Sequence, residues 1–434
     1  MKFGRSLGFL AALVSALCIG GLLSVAVTSK SYSESYPAVV CPPTLAGLTS
    51  QISLASKKTP FQRLQNRTTK TAPVKVLRLP VNKDSLLFSS DGVTPVVWQS
   101  RASSWAGGAV CTGPETSQWF VGGTADITTR GRLIIINSGL SDAVVDVQSF
   151  TENGKQPLRT ITVVSKNYQV IPTDSLAPGD KYLTVHVAPR SGRINAFMID
   201  EQGAGLKSLG GDLVNSVSNA SKSVMIPAIP HQIKDRSPAL PHTLRVLTPG
   251  DVDASVTAEV LSSDGVFVPV GLTSRTVSAG IVTEFQFTPK ISSTVLAVRI
   301  TSTEPVVAAI KSTVTVAGRK DFVWSTSAPE LVPLTIAISG LTPLISFVGE
   351  RINVSLDVTL TNGKVVRKAV KGTDIATWRA PDAARSFTIT KVGPDTFAGA
   401  LVSSVNGYGY FPIASGSLLT KIELPDSNIR VLNP

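Results

Sequence analysis

The chain has 434 residues and a formal net charge of +12, with 43% apolar residues and only 16% charged ones. A charged share so far below the usual quarter or so, alongside abundant Val, Ile, Thr and Ser, excludes intrinsic disorder. It also argues against a helix-rich protein and suits sheets packed face to face. The length predicts two to four domains.

Lys2 and Arg5 precede an apolar, uncharged run that begins at Leu7 and ends at Val27. At about 1.5 Å per residue such a run spans roughly 30 Å, the thickness of a bilayer core. It is longer than the usual core of a cleaved signal, and the flanking cations keep the N-terminus inside. The expected topology is a cytoplasmic tail at 1–6, a single-pass signal anchor in the cytoplasmic membrane at 7–27, and the bulk of the chain outside. Cleavage after the small residues Ser24, Val25 and Ala26 would instead release the protein. Cys18 follows Leu17, where a lipid-attachment site needs a small residue, so it reads as an apolar residue in the lipid phase.

Between Lys30 and Pro80 stand eight cations and a single acid, Glu34. With Pro42-Pro43 and runs of Ser and Thr, residues 28–80 read as a basic tether. The cations keep it solvated; contact with anionic lipid heads or an anionic wall polymer is the alternative. They are not interleaved with aromatics, and in an exported chain no nucleic-acid partner is expected. Outside the apolar run the chain has two cysteines, Cys41 and Cys111, which in an oxidising compartment invite a disulfide. The plainer alternative is two separate buried thiols.

From residue 81 onward the sequence repeats. Leu133 to Gly154 aligns without a gap on Leu244 to Gly265, an offset of 111 residues, with Asp142-Ala143 on Asp253-Ala254 and Val145 on Val256. A looser third copy begins at Ile352 and reaches Asn362-Gly363. Each copy climbs along an alternating strand to an Asn-Gly or Asp-Gly turn, whose residues accept the positive φ of a tight hairpin. Downstream, each copy carries a further strand pair: 182–188 with 193–199, 295–300 with 306–310, and 386–390 with 397–402. Units of about 100–110 residues with many short strands have the size of an immunoglobulin-like sandwich. The expected fold is all-β: tandem immunoglobulin-like β-sandwich domains at 81–225, 226–329 and 330–434, after one N-terminal transmembrane helix and a tether. Residues 203–222, rich in Gly, Ser and Asn, read as a mobile loop or linker.

The chemistry-bearing residues are sparse. Of the three histidines, His186 sits in an alternating strand and reads as a strand-face residue. His231 and His242 flank a Pro-rich loop and are able to approach each other, but no carboxylate stands at ligand spacing, so no metal site and no cofactor are expected. There is no Gly-x-Ser-x-Gly elbow, His-Glu-x-x-His helix or phosphate-binding loop. Asp251 and Asp253 lie in a turn repeated at Asp142, which turn chemistry explains better than paired catalytic carboxylates. No catalytic residues are assigned. Trp98, Trp105 and Trp119 form the most suggestive local cluster: either a sandwich core near Cys111 or a platform for stacking on sugar rings.

The stretch from Trp105 to Cys111-Thr-Gly-Pro, the Gly122-Gly123-Thr-Ala-Asp that follows, and the Leu-x-Ile-x-Asn to Asn-Gly unit resemble an uncharacterised family of exported actinobacterial proteins. The resemblance covers residues 95–310 best. It implies an N-terminal membrane segment and a β-rich outer body, and supplies no catalytic residues. The Pro of the family's Pro-Gly turn is present at Pro249, whereas Ser138 replaces it in the first copy. The resulting expectation is a non-enzymatic, membrane-anchored cell-envelope protein that presents β-sandwiches to envelope proteins or a wall polymer. The alternatives are a carbohydrate-binding module serving a wall enzyme and an extracytoplasmic hydrolase.

Overall fold

The structure is a computed structural model. It describes Leu13–Ser15 and residues 39–417, except 57, 67, 74–76, 90–91, 206 and 234–238. The tail at 1–6 and the expected anchor at 7–27, with Cys18, lie outside the described residues apart from Leu13–Ser15, which are helical. Among the described residues no helix is long and apolar enough to cross a membrane. The body described below is the compact unit 37–418.

Several β-sheets build that body. Residues 118–214 form two facing sheets. One contains Gln118–Val121, Ala143–Thr151 and Thr184–Ser191; the other places Arg132–Asn137 between Asn167–Pro172 and Ile194–Ala204, with Lys207–Val214 at its edge. The expected pairing of 182–188 with 193–199 therefore does not form. The first segment pairs with 143–151 and 118–121, the second with 132–137 and 207–214. Two alternating strands joined by a short turn satisfy the same hydrophobic pattern when they lie in opposite sheets, because each still buries one face.

The run Leu133-Ile134-Ile135-Ile136 has no polar alternation, and the packing explains why. Leu133 and Ile135 point into the core between the two sheets, while Ile134 and Ile136 point into a second core on the other side. A strand buried on both faces reads as a continuous apolar run.

That second core corrects the expected tether. Residues 39–80 carry strands at Val39–Cys41, Thr49–Ser53, Pro60–Arg63, Lys70–Thr71 and Arg78–Val81. Their buried side chains, including Val40, Ile52, Leu54 and Leu79, pack with Ile134, Ile136 and Phe197. The strands are short and broken by Pro and Ser, so the alternation that marks a strand never runs long enough to show. Cys41 and Cys111 are joined by a disulfide, both ends fully buried. Beside it Val40 N–H donates to Thr112 C=O, and Thr112 N–H to Val40 C=O.

The three expected regions are not separate sheets in series. Leu334–Ala337 pairs in parallel with Val93–Arg101, so one ten-stranded sheet holds strands from both the beginning and the end of the body. In the middle region the expected hairpin between 295–300 and 306–310 is one 22-residue strand, Val295–Val316. Its first half pairs with Ser221–Pro230 and Ala254–Ser262, its second half with His242–Leu247 and Arg319–Thr326. Residues 203–222, expected as a loop, supply Lys207–Val214 and the start of Ser221–Pro230. In the last region Ala384–Lys391 and Phe397–Ser403 do not pair with each other. Both pair with different parts of Leu344–Leu360.

The repeated Asp makes the same kind of contact in both copies. Asp142 Oδ1 accepts the Ser165 N–H, and Asp253 Oδ1 accepts the Ala279 N–H. Each carboxylate ties its loop to backbone 23 or 26 residues further on, a long-range contact rather than the local turn bond expected from its position before Ala143 or Ala254.

Candidate functional site

Four strands from three sheets converge at the centre of the body: Trp105–Val110, Lys207–Val214, Arg319–Thr326 and Tyr408–Pro412. Glycine permits the approach. A Cβ at Gly409 would stand 2.6 Å from the Gly108 nitrogen, and one at Gly107 2.5 Å from the Leu213 nitrogen. Strands that meet from different sheets do not complete each other's ladders, so side chains must supply the missing partners.

Acidic and amide groups fill that role. Asp212 Oδ2 accepts the Trp324 N–H at 2.7 Å, and Asp321 Oδ1 accepts those of Gly211 (3.1 Å) and Phe322 (2.9 Å). Asp200 Oδ2 accepts from the Trp324 indole N–H at 2.8 Å and from Gln202 Nε2 at 2.9 Å. Asn215 Nδ2 donates to the carbonyls of Gly108 and Tyr410. Lys311 Nζ donates to Gln202 Oε1 at 2.9 Å and lies 4.2 Å from the Phe322 ring centroid. Asp200 Oδ1 and Asp321 Oδ2 are buried with no partner among the described residues.

Burial dominates the electrostatics. It holds Asp212 well above the ordinary carboxylate range, with the Asp321 and Asp200 charges adding to the effect, and pushes Asp321 up to about 7. Burial likewise lowers Lys311. Among the described residues no group of three His, Cys, Asp or Glu side chains is arranged to hold a metal ion.

The raised carboxyls give the fold a pH signature. A carboxyl held protonated to a higher pH in the fold than in the unfolded chain makes the native state bind more protons. Its stabilisation is complete below the unfolded value, near 4, and is lost as pH rises to about 7. Each such group steepens the decline by at most about 1.4 kcal/mol per pH unit. The melting temperature is therefore expected to fall between pH 4 and pH 7. In Asp321→Asn the fall is shallower and the protein gains about 1–2 kcal/mol at pH 8, less than the full linkage because the new amide N–H₂ meets a site without an acceptor. Identical pH profiles for the two proteins would sink this account.

A second cluster is a buried chain. His231 Nδ1 lies 3.0 Å from His242 Nε2, and His242 Nδ1 lies 2.9 Å from Ser312 Oγ. Thus the two histidines flanking the Pro-rich loop do meet. All three residues are buried, and burial with the neighbouring His231 pushes His242 down to about 3, so its ring stays neutral at pH 7. Such a chain fixes tautomers and strand positions without touching solvent.

The third cluster is half-buried. Ser117 Oγ lies 3.0 Å from His186 Nε2 and donates to the Ser218 carbonyl at 2.9 Å. His186 projects from Thr184–Ser191 opposite Trp119, and the two rings stack 4.0 Å apart. Burial lowers the histidine. Glu115 stands in the same loop as Ser117; burial pushes it up to about 7, while a hydrogen bond from Ser218 opposes the shift. Because the single Ser117 hydroxyl proton goes to the Ser218 carbonyl, His186 Nε2–H donates to Ser117 Oγ, and the imidazole becomes a base for this hydroxyl only if the hydroxyl turns toward it. His186 Nδ1 has no hydrogen-bond partner among the described residues to orient the ring, unlike the base of a complete triad. His186 was expected on a strand face and lies there. Ser117 and Glu115 carried no signal in the sequence, since only strand pairing brings residue 117 to residue 186.

The three tryptophans expected as a ligand platform are buried: Trp98 is 7% exposed, Trp105 0% and Trp119 8%. Trp98 packs in the core of the ten-stranded sheet, Trp105 in the core around the disulfide, and Trp119 against Phe150. None offers a face to a sugar ring. Alternation in Val93–Arg101 and Trp105–Val110 does not separate the two outcomes, because these strands are covered on both sides.

These observations define an all-β protein of several packed sheets, tied together by a buried polar junction. Residues 99–370 match the model of a family of unknown function, DUF5719, and the chain belongs to that family. The junction residues Asp200, Asp212, Lys311, Asp321 and Trp324 fall inside the matched region, whereas Tyr408–Pro412 falls outside. No curated protein matches the chain. Among solved structures, the crystal structure of Thermotoga maritima 1070 is 15% identical, covers 25% of this chain and 93% of its own, and has a TM-score of 0.17. Salmonella alpha-2-macroglobulin reacted with methylamine is 10% identical over 82% of this chain and 27% of its own, with a TM-score of 0.14. Neither likeness bears on fold or function at these scores.

Proposed function

We propose that the chain is a non-enzymatic cell-envelope protein, exported and held at the cytoplasmic membrane by residues 7–27, whose β-sandwich body presents a surface to an envelope partner. The observation that carries this reading is the buried Cys41–Cys111 disulfide, because such bonds persist in oxidising compartments and are rare in reducing ones. The apolar run from Leu7 to Val27 supplies the route of export, and the low charged share suits a stable extracellular β-body. The test is fractionation of cells producing the full chain. The protein is expected to stay with membranes through a carbonate wash and to be cut by protease added from outside. Recovery of a protease-protected protein in which Cys41 and Cys111 are both free thiols would overturn the proposal.

The carbohydrate-module reading loses its motivation with the burial of the three tryptophans. The hydrolase reading has one observation behind it, the Ser117–His186 contact. Labelling by a fluorophosphonate probe that disappears in Ser117→Ala would replace the non-enzymatic reading with that one.

A further inference from the structure

The strand Val365–Arg379 forms an edge of the ten-stranded sheet. Among the described residues it pairs with Leu344–Leu360 alone. The turn that joins the two fixes the phase of the ladder: Leu360 N–H donates to Lys364 C=O, and Gly363, at φ +90°, donates to Leu360 C=O. Leu360 and Lys364 thus form a hydrogen-bonded pair, and in an antiparallel ladder such pairs alternate with non-bonded ones. With Thr359 opposite Val365 and Asp357 opposite Arg367, the N–H and C=O groups of Val365, Arg367, Ala369 and Lys371 point away from the 344–360 strand. The side chains of these four residues are exposed.

An unpaired row of this kind is a template for another strand, and proteins normally blunt it with charge, Pro or a cover. This edge has no Pro and, between 361 and 373, no acid; its charges are Lys364, Arg367, Lys368 and Lys371. Arg367 is nearly free: its side chain is 91% exposed, and Asp357 approaches it only to 3.6 Å. The second half of the strand is different, since Ile375 packs against the cluster of Met225, Leu261, Ala297 and Val348.

We infer that the 365–371 edge binds an extended acidic segment of a partner protein by strand addition. The backbone row supplies hydrogen bonds, and the cations select the partner. Pairing with a second copy of the same edge, centred on Ala369, would set Arg367 opposite Lys371, and like charges directly opposed are destabilising. An acidic strand in the same place meets a cation at alternate positions. In that register the edge repels its own copy and attracts the opposite charge. This deepens the interaction role proposed above by naming the surface and the partner's chemistry. Its test does not depend on where the protein resides, so either proposal is able to fail alone.

The probe is a fluorescein-labelled, end-blocked peptide of about ten alternating Glu and Val residues, an extended segment able to add as one strand, with a Lys–Val peptide as control. Fluorescence anisotropy at low salt with the full-length protein is expected to show saturable binding of the acidic peptide only. Two variants read the two halves of the inference. Ala369→Pro removes one outward N–H that the neighbouring strand does not use, and the double charge reversal Arg367→Glu with Lys371→Glu inverts the selection. Each is expected to weaken binding at least about tenfold, and the reversed edge is expected to take up the Lys–Val peptide instead. If Ala369→Pro does not fold, the charge-reversal pair, which touches only exposed side chains, still decides. No binding of the acidic peptide overturns the inference. So does binding that survives Ala369→Pro and is matched by inorganic polyphosphate or anionic vesicles, which would make the edge a polyanion surface.

Discussion

Replacing Arg245 by methionine is expected to lower the free energy of unfolding by about 3–5 kcal/mol, read as a shift of the urea midpoint. The guanidinium projects from His242–Leu247 and is buried. Its Nε and Nη2 donate to Glu284 Oε1 at 2.9 and 2.6 Å, while Nη1 donates to the carbonyls of Gly123 (2.6 Å) and Leu183 (2.8 Å). The group also lies over the rings of Trp324 and Tyr182. Gly123 lies just after the Gln118–Val121 strand and Leu183 just before Thr184–Ser191, so a single side chain fastens the middle region to the first. Methionine fills much the same volume, and the cost comes from what it leaves behind: the Leu183 carbonyl without this donor, the Gly123 carbonyl with only the long 3.4 Å bond from Leu183 N–H, and a carboxylate only 16% exposed without its cation. Adding Glu284→Gln should recover part of the loss, because the stranded charge is removed. Arg245→Lys should not, since one ammonium cannot reach three acceptors in a planar fork. A midpoint that moves no more in Arg245→Met than in an exposed variant such as Arg190→Met would show that the fastening is not energetic.

The sequence carried the class of fold but not its connections. Composition and alternation identify strands, and the strands at 143–151 and 254–262 sit 111 residues apart as the repeat required. What alternation cannot encode is which sheet a strand joins. That is why 182–188 and 193–199 look like a hairpin yet face each other across a core. Pro305, with Thr301-Ser302-Thr303-Glu304 before it, reads as a turn, yet the chain runs straight through as Val295–Val316. The strand changes partners around that point, where a missing N–H and a polar run are tolerated. The Cys41–Cys111 pairing was legible because the body offers no other cysteines. The polar junction was not. Asp200, Asp212 and Asp321 look like surface acids, because an orphan N–H donated from another sheet leaves no mark beside the residue that accepts it. One trace was present: Gly107-Gly108, Gly210-Gly211 and Gly407 with Gly409 interrupt strand-like stretches, where glycine marks close backbone approach.

Reducing the Cys41–Cys111 bond is expected to cost about 4 kcal/mol, because the loop it closes spans 70 residues and the unfolded chain regains that freedom. The loss should not spread evenly. The 39–41 strand has three paired residues with Leu86–Phe88 and two backbone hydrogen bonds to Thr112 to hold it once the bond is cut. It shares one core with Ile134, Ile136 and Phe197. Hydrogen exchange should therefore show amides between 39 and 88 opening first in the reduced protein, while those of Ile194–Ala204 and Val295–Val316 keep protection closer to that of the oxidised form. Comparing oxidised with reduced wild-type protein avoids the cavity that alanine would leave at two fully buried sites. An unchanged urea midpoint on reduction would mean that the packing around 39–88 suffices alone, and would remove the strongest structural support for an oxidising compartment. A drop of the expected size has the opposite consequence. In a reducing compartment the covering layer of the 132–137 strand would stand partly open, exposing Ile134 and Ile136, and the complete fold would be stable only where the bond can form.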